Sequence, residues 1–271
     1  MRKQVSLVML SMDRLDFTKQ TLKSLAKTTP RHTYELIVID NASHPPAFDW
    51  LLEESRVGNI DVLIRNKVNL GFIKASNQGI KIARGKYIAL INNDLIFTDN
   101  WLEKLLKPLK DKKVGISTPL RFDGVTDQTV GRLIQKGFAM PKMKWTKDYL
   151  KTELAQDYST SVEKDFERMV HFTKNYVAFF CVLIKRDLFS KIGLLDERFG
   201  MGFAEDNDFC KRTFNAGYKI AVCLDTFVYH YGMITWSAMY PNEKILDRVI
   251  KDKVKIFEEK WKSETKKEEI V

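Results

Sequence analysis

Residues 89–97 read ALINNDLIF, and this stretch decides the fold. Apolar residues flank two amides and an acid, Asn92, Asn93 and Asp94. A core strand has no use for a charge, because burying an unpaired one costs several kcal/mol or more. Asp94 therefore marks a solvated strand end, caps a helix, or holds something. The rest of the chain narrows the choice.

Working outward, strand and helix signals alternate over the first 120 residues. VSLVML (5–10), YELIVID (34–40), IDVLIR (60–65), KYIALIN (86–92) and VGISTP (114–119) read as strands. The second is almost continuously apolar, as parallel strands covered on both faces are. Between them lie segments with apolar residues at helical spacing. One is IKASNQGIKIARG, for which Gly85 is the expected left-handed terminator. Another is NWLEKLLKPL, for which Asp99 is the expected N-cap. Alternation of this kind predicts an α/β fold with a mostly parallel central sheet. Such sheets bind ligands beyond the carboxyl ends of their strands. Polar residues gather at those ends: Ser11, Asp13 and Arg14 after the first strand, Asp40 and Asn41 after the second, and Asn92, Asn93 and Asp94 after the fourth.

Composition bounds the rest. The chain has 271 residues, is 44% hydrophobic and carries a formal net charge of +10. That balance suits polyanionic partners, such as nucleotides, nucleic acid or an anionic membrane face, and equally a merely soluble surface. No apolar run is long enough to span a membrane. The N-terminal VSLVML reads as a strand rather than a signal peptide. Three scattered cysteines without a CxxC give neither a disulfide framework nor a zinc site, so a cytoplasmic location is the default. Residues 121–172 read as a mixed, irregular and mobile insertion with a helix or two. Its basic KMKWTK could track phosphates. KIAVC and TFVYH read as two short strands. From Asn242 onward, Leu246, Ile250, Val254, Phe257 and Trp261 recur at helical spacing among lysines, giving a basic amphipathic helix.

Several constellations could carry chemistry. An acid preceded by amides at a strand end suits Mg²⁺ or Mn²⁺, which take carboxylates together with ligand phosphates and water. Asp40 could accept a hydrogen bond from a base or ribose, or simply form a turn. In NLGFIKASNQGI (69–80), Gly71 permits a tight turn before a helix N-terminus. In FAEDNDF, Glu205, Asp206 and Asp208 crowd together; one of them is either a general base or part of a solvated first helical turn. His230 matters only if it meets Asp94 in space.

The ordered set is specific: SMDR (11–14), ELIVIDNAS (35–43), NLGFIKASNQGI (69–80), GKYIALINND (85–94), VGISTP (114–119), IKRDLFSKIGLLDERFGMGFAEDNDFCKR (184–212), NAGYKIA (215–221) and VYHYG (228–232). It resembles the family 2 glycosyltransferases of GT-A fold, close to their rhamnosyltransferase-like subgroup, from about Val5 to Gly232. The resemblance implies a Rossmann-like sheet with a nucleotide-sugar-binding half (1–120), an acceptor-binding half (121–240) with a lid-like insertion at 121–172, and a C-terminal helix and tail (241–271). It implies a nucleoside-diphosphate sugar donor, UDP- or dTDP-linked, and a glycan or lipid-linked glycan acceptor. It implies Mn²⁺ or Mg²⁺ and inversion at the anomeric carbon. Asp206 matches the catalytic base. Asp94 and His230 match metal ligands. Ser11, Asp13, Arg14, Asp40, Asn41, Asn69, Asn77, Asn92, Asn93 and Glu205 match donor-binding positions, Asp40 reading the base. The family's Asp-x-Asp stands here as NND, with Asn92 in the first place. Two rival readings remain. One is transfer to nucleic acid; the other is a catalytically silent binder of nucleotide sugars or polyanions. The C-terminal helix either packs back on the domain or touches an anionic membrane surface. A nucleotidyltransferase is disfavoured, because LSMDRLD lacks a glycine-rich phosphate loop. The sequence leaves the oligomeric state open.

Overall fold

The computed structural model describes residues 3–122, 124, 126–142, 151–232 and 239–268, with side chains described as far as Lys262. The first strands follow from their apolar runs: β1 (Val5–Ser11), β2 (Tyr34–Asp40), β3 (Val62–Arg65) and β4 (Tyr87–Ile91). Helices α1 (Leu15–Thr28), α2 (Pro45–Arg56) and α3 (Gly71–Ile82) connect them. In β1, Val8 faces one core while Val5, Leu7 and Met9 face another. In β2, Ile37 and Ile39 oppose Leu36 and Val38 in the same way. A strand covered on both faces needs apolar residues at every position, which is why YELIVID shows no alternation.

The remaining elements extend this sheet. They are β5 (Leu95–Ile96), α4 (Trp101–Leu106), β6 (Val114–Leu120), α5 (Val130–Gln135), α6 (Lys151–Asp165), β7 (Val170–Thr173), β8 (Cys181–Lys185), α7 (Arg186–Ile192), α8 (Glu205–Asn215), β9 (Lys219–Phe227), β10 (Tyr229–His230) and α9 (Glu243–Glu268). Eight strands form one sheet in the order β3-β2-β1-β4-β8-β6-β9-β7. It is mostly parallel, but β8 runs antiparallel to both β4 and β6. The reversal has a consequence for the site. Cys181 pairs with Ile91, so the residues entering β8 lie where the parallel strands end. KIAVC and TFVYH are not two separate strands. Lys219–Phe227 forms one continuous β9, and only Tyr229–His230 peels away to pair with β5.

The insertion is more regular than its composition suggests. Leu154, Tyr158 and Val162, with Ala155 and Ser159, give α6 a buried stripe, and it packs on β9. Spacings of four residues put these side chains on one face. The KMKWTK segment lies, but for Lys142, outside the described residues. Two local expectations fail. Asp99 does not cap α4: Asn100 occupies that position in a left-handed conformation without a side-chain cap. Gly85 does not adopt the left-handed conformation either. It is a glycine because a Cβ there would come within 2.6 Å of the Ser6 backbone nitrogen.

Helix α9 docks through its last described turns. Trp261 is buried, and its indole N–H donates to Asp208 Oδ1 at 3.2 Å. Lys260 Nζ lies 2.5 Å from the same oxygen and 2.9 Å from Asp196 Oδ2. Arg212 Nε holds the other Asp208 oxygen at 2.8 Å. Among the described residues no helix is long and apolar enough to cross a membrane. Removing one member of a buried charge network leaves its partners desolvated and under-compensated. Lys260→Met is therefore expected to lower the unfolding free energy by about 3 kcal/mol. Denaturant titration checks this, and a loss below about 0.5 kcal/mol would place Lys260 among ordinary exposed pairs.

Candidate active site

A cavity of about 390 Å³ opens at the carboxyl edge of the sheet. Ser11, Asn41, Asn69, Asn92, Asn93, Asp94, Glu205, Asp206 and His230 all line it. Residues far apart in sequence thus meet where the strand-end argument places a ligand.

Asp94 reaches the cavity because the chain after it turns apolar again. Leu95 and Ile96 are fully buried and pair antiparallel with Tyr229 and His230. The Tyr231 N–H donates to the Asp94 carbonyl at 3.1 Å, which completes the ribbon. This pairing sets His230 beside Asp94, with Nε2 3.2 Å from Oδ1. Asn92 Nδ2 lies 3.1 Å from the same imidazole nitrogen. The His230 ring stacks on Phe180 at 5.0 Å and 14°. Asp94 Oδ1 and His230 Nδ1 are buried without a hydrogen-bond partner.

These two residues fit a divalent cation. Asp94 Oδ1 is a buried carboxylate oxygen without a hydrogen bond, 3.2 Å from an imidazole nitrogen, and a cation bound to both groups would satisfy them. Asp94 and His230 would be the two side chains to hold such an ion, which would supply positive charge to a bound diphosphate. Among the described residues no cluster of three or more His, Cys, Asp or Glu could hold a metal. A cation here would have two protein donors and would need ligand phosphates or water for the rest.

On the other side of the cavity, the chain from Gly200 to Ala204 is strained. Phe203 and Ala204 both have positive φ, 71° and 67°, as do the glycines at 200 and 202. Non-glycine residues pay a conformational cost in this region. The loop is pinned where Phe72 N–H donates to the Met201 carbonyl at 2.8 Å. Gly71 makes that approach possible: it has φ 78°, and a Cβ would lie 2.6 Å from Met201 Cα. The strained loop delivers Glu205 and Asp206 in the first turn of α8. Burial raises the carboxyl pKa of both, and the charge of Asp206 raises that of Glu205 further. Backbone N–H groups, chiefly that of Asn207 at 2.8 Å, and the Arg121 guanidinium partly offset the rise at Asp206. Glu205 Oε2 is buried with no hydrogen-bond partner, so Glu205 holds its proton more tightly than Asp206 does.

The other expected donor residues divide. Asn41 Nδ2 donates to Asn69 Oδ1 at 2.8 Å, and Asn41 Oδ1 accepts from Leu70 N–H at 3.1 Å. Asn93 donates to Thr18 Oγ1 at 2.9 Å, and Ser11 Oγ lies 3.4 Å from the same hydroxyl. Their polar atoms chiefly shape the loops. Asp13, Arg14, Asp40 and Asn77 do not line the cavity. Asp40 is fully buried, accepts from Ser43 N–H at 3.3 Å, and lies 3.8 Å from Arg65 Nε. Asp13 accepts from His44 N–H at 2.7 Å, on the same turn, and Arg14 sits over Phe17 at 5.1 Å. Asn77 bonds both backbone groups of Leu195, at 2.9 and 3.1 Å, which ties α3 to the segment before the strained loop.

Sequence reasoning missed Arg121, Tyr176 and Phe180, all cavity residues. Arg121 directly follows β6, so the strand-end rule that found Asp94 also points to it. Its guanidinium lies 5.3 Å from the Phe180 ring. Tyr176 and Phe180 carried no signal, because nothing in the sequence fixes the direction of β8.

Comparison with known proteins agrees with this geometry. Residues 6–193 match the family model described as glycosyl transferase family 2. An uncharacterized glycosyltransferase of Methanocaldococcus jannaschii is 30% identical over 110 residues, covering 40% of this chain and 38% of that one. The O-antigen biosynthesis protein RfbC of Myxococcus xanthus is 27% identical over 203 residues, covering 72% of this chain and 15% of its own length. The chain thus spans well under half the length of these curated relatives. Among solved structures, that of GalNAc-T7 with UDP, GalNAc and Mn²⁺ superposes with a TM-score of 0.63 at 19% identity, covering 84% of this chain and 44% of that one. This likeness identifies the architecture as the GT-A fold. With the family model running from the first strand to the loop beyond α7, the chain belongs to glycosyl transferase family 2.

Proposed function

We propose that this protein is a metal-dependent, inverting glycosyltransferase. It moves a sugar from a nucleoside-diphosphate donor, UDP- or dTDP-linked, to a hydroxyl of a glycan or lipid-linked glycan. One observation carries the reading. An unsatisfied carboxylate–imidazole pair, Asp94 and His230 at 3.2 Å, shares a cavity with a half-buried carboxyl group, Asp206. The former suits a cation with its phosphates, the latter suits proton removal. Support also comes from relatives: RfbC is named for O-antigen biosynthesis, and the GalNAc-T7 structure holds UDP and Mn²⁺.

Asp94 and His230 hold the cation, Mn²⁺ or Mg²⁺. When bound, it supplies positive charge against the charge that develops on the departing diphosphate. Phe180 fixes the plane of the His230 ring, and Asn92, with Nδ2 3.1 Å from Nε2, would yield that contact to a cation on the same lone pair. Asp206 accepts the acceptor hydroxyl's proton as the new oxygen–C1 bond forms. The bond from C1 to the diphosphate oxygen breaks, and its electron pair leaves with the nucleoside diphosphate. A single displacement with one base inverts the anomeric centre. A base pKa raised toward neutrality strengthens proton removal while leaving a useful ionised fraction. Glu205 stays protonated beside Asp206, so the pair need not carry two charges. Asp40, buried beneath Ser43, acts on the donor's base through the turn that it holds together with Asp13.

Donor hydrolysis by the purified protein tests this reading, using UDP-, dTDP- and GDP-sugars with Mn²⁺ or EDTA. Release of nucleoside diphosphate is expected with Mn²⁺ alone, and Asp94→Ala should abolish both turnover and calorimetric Mn²⁺ binding in the presence of nucleotide. Binding of no donor at all would reject the proposal. Transfer should fall by about 10²-fold or more in Asp206→Asn. Its rate in the wild type should rise with pH through a value above the ordinary carboxylate range, because the base must be ionised. A profile flat from pH 4.5 to 8 would remove Asp206 from the role.

Glu205 gives a stability prediction with a definite sign. Its native pKa lies above its unfolded value, so the unfolded chain releases the proton first. Stability is therefore lost as pH climbs from about 4.3 toward the raised native value. Glu205→Gln should remove that loss, becoming more stable relative to wild type as pH rises across this window. Parallel denaturation curves at pH 5 and pH 8 decide it, and an unchanged difference between them refutes the assignment.

A further inference from the structure

The C-terminal helix has two unlike halves on one stripe. Phe257 and Trp261 face α8, and Lys211 lies 4.3 Å from the Trp261 ring. One and two turns earlier, Ile250 and Val254 line the reaction cavity together with Met239. Val254 remains 42% exposed. Docking alone does not account for this, because the buried Trp261 and the Lys260–Asp208 pair already hold the helix. Apolar side chains left facing a cavity, rather than closed over a core, are the usual lining of a ligand site.

Their position is defined. Lys253, between them, has its Nζ 3.1 Å from where a Cβ on Gly200 would lie. The 250–254 turn therefore flanks the Gly200–Ala204 loop that leads to Asp206. The polar strand ends 11, 41, 69 and 92–94 stand on the sheet side of the same cavity. An apolar wall beside the base is where the molecule that loses its proton to Asp206 would lie. A fully hydroxylated sugar has little use for a wall of valine, isoleucine and methionine, whereas a hydrocarbon group buried there gains about 25 cal/mol per Å² removed from water.

We propose that Ile250 and Val254, with Met239, form an acceptor subsite for a hydrocarbon aglycone attached next to the reacting sugar. This rests on the transferase reading of the cavity. Helix α9 is then a specificity element, held in place by its anchor on Asp208, two residues beyond the base. Apolar aglycones of several origins share this chemistry, so simple alkyl glycosides suffice as probes.

The test compares binding of n-octyl and methyl β-D-glucopyranoside to the full chain by calorimetry, below the micellar concentration. UDP with Mn²⁺ is titrated on the same preparations. Wild type is expected to bind the octyl glycoside at least tenfold tighter. The preference should vanish in Ile250→Asn/Val254→Asn and persist in Val254→Met. Equal affinity for both glycosides in wild type, or an unchanged preference in the double variant, overturns the proposal. So does capture by plain phosphatidylcholine vesicles that the double substitution abolishes, since it assigns the patch to a membrane surface. The UDP–Mn²⁺ titration separates the two readings. Lost nucleotide binding with an intact octyl preference sinks the transferase and leaves the subsite, and the reverse pattern sinks the subsite alone.

Discussion

A buried carboxylate oxygen that nothing in the protein hydrogen-bonds is the constraint on which this molecule turns. Asp94 Oδ1 is such an atom, and an imidazole nitrogen stands 3.2 Å from it. Leaving a buried charge uncompensated costs several kcal/mol. The surrounding fold must be stable enough to hold it there. It does so with the ribbon of Leu95–Ile96 and Tyr229–His230, whose side chains on the β5 strand are wholly buried. The apolar residues after NND are thus not a return to the core strand. They are the clamp that keeps the acid and the histidine together.

The same logic governs the far wall. Phe203 and Ala204 sit in the left-handed region, at a cost of order 1–3 kcal/mol each. Two contacts hold the chain there from outside the loop. Asn77 bonds both backbone groups of Leu195, and the backbone N–H of Phe72 bonds Met201. Both contacts come from α3, which the sheet buries firmly. Asn77 therefore fixes the path into α8 and so the position of Asp206, although it does not line the cavity. A polar residue in a motif can matter to a site through backbone geometry rather than through its own contact with a ligand.

How much of this was legible follows from the physics of each element. The strands of the first half were legible because two-sided burial forces continuous apolar runs with polar ends. Asp94 and Arg121 obey one rule, though only the former was drawn from it. The meeting of Asp94 with His230 was legible only through family resemblance, since a two-residue ribbon leaves no periodicity to read. Strand direction left no trace either: VLIK has the same pattern whichever way it runs, so Phe180 and Tyr176 stayed hidden. Asp99 and Gly85 misled for a related reason. Their residue types fit caps, but Asn100 took the turn at one place and close packing against Ser6 explained the glycine at the other. Residue type gives the local options, and tertiary contact chooses among them.

Asp208 links the two walls of the cavity. It lies in the helix that begins with Glu205 and Asp206, and its oxygens are held by Arg212 from within that helix and by Lys260 and Trp261 from α9. Asp196, which also pairs with Lys260, resists protonation: burial alone would raise its pKa, yet hydrogen bonds from Arg198 and Lys260 outweigh that and hold it well below the usual carboxylate range. Asp196 therefore stays ionised throughout the range in which Asp206 titrates. A displacement of α9 would have to break contacts made by the base-bearing helix itself. The wall of Ile250 and Val254 and the carboxylate of Asp206 are consequently positioned against one shared anchor. On the transferase reading proposed above, a rigid shared anchor would convert a contact with the apolar wall into alignment at the acceptor hydroxyl, which is how binding energy remote from the chemistry can lower its barrier.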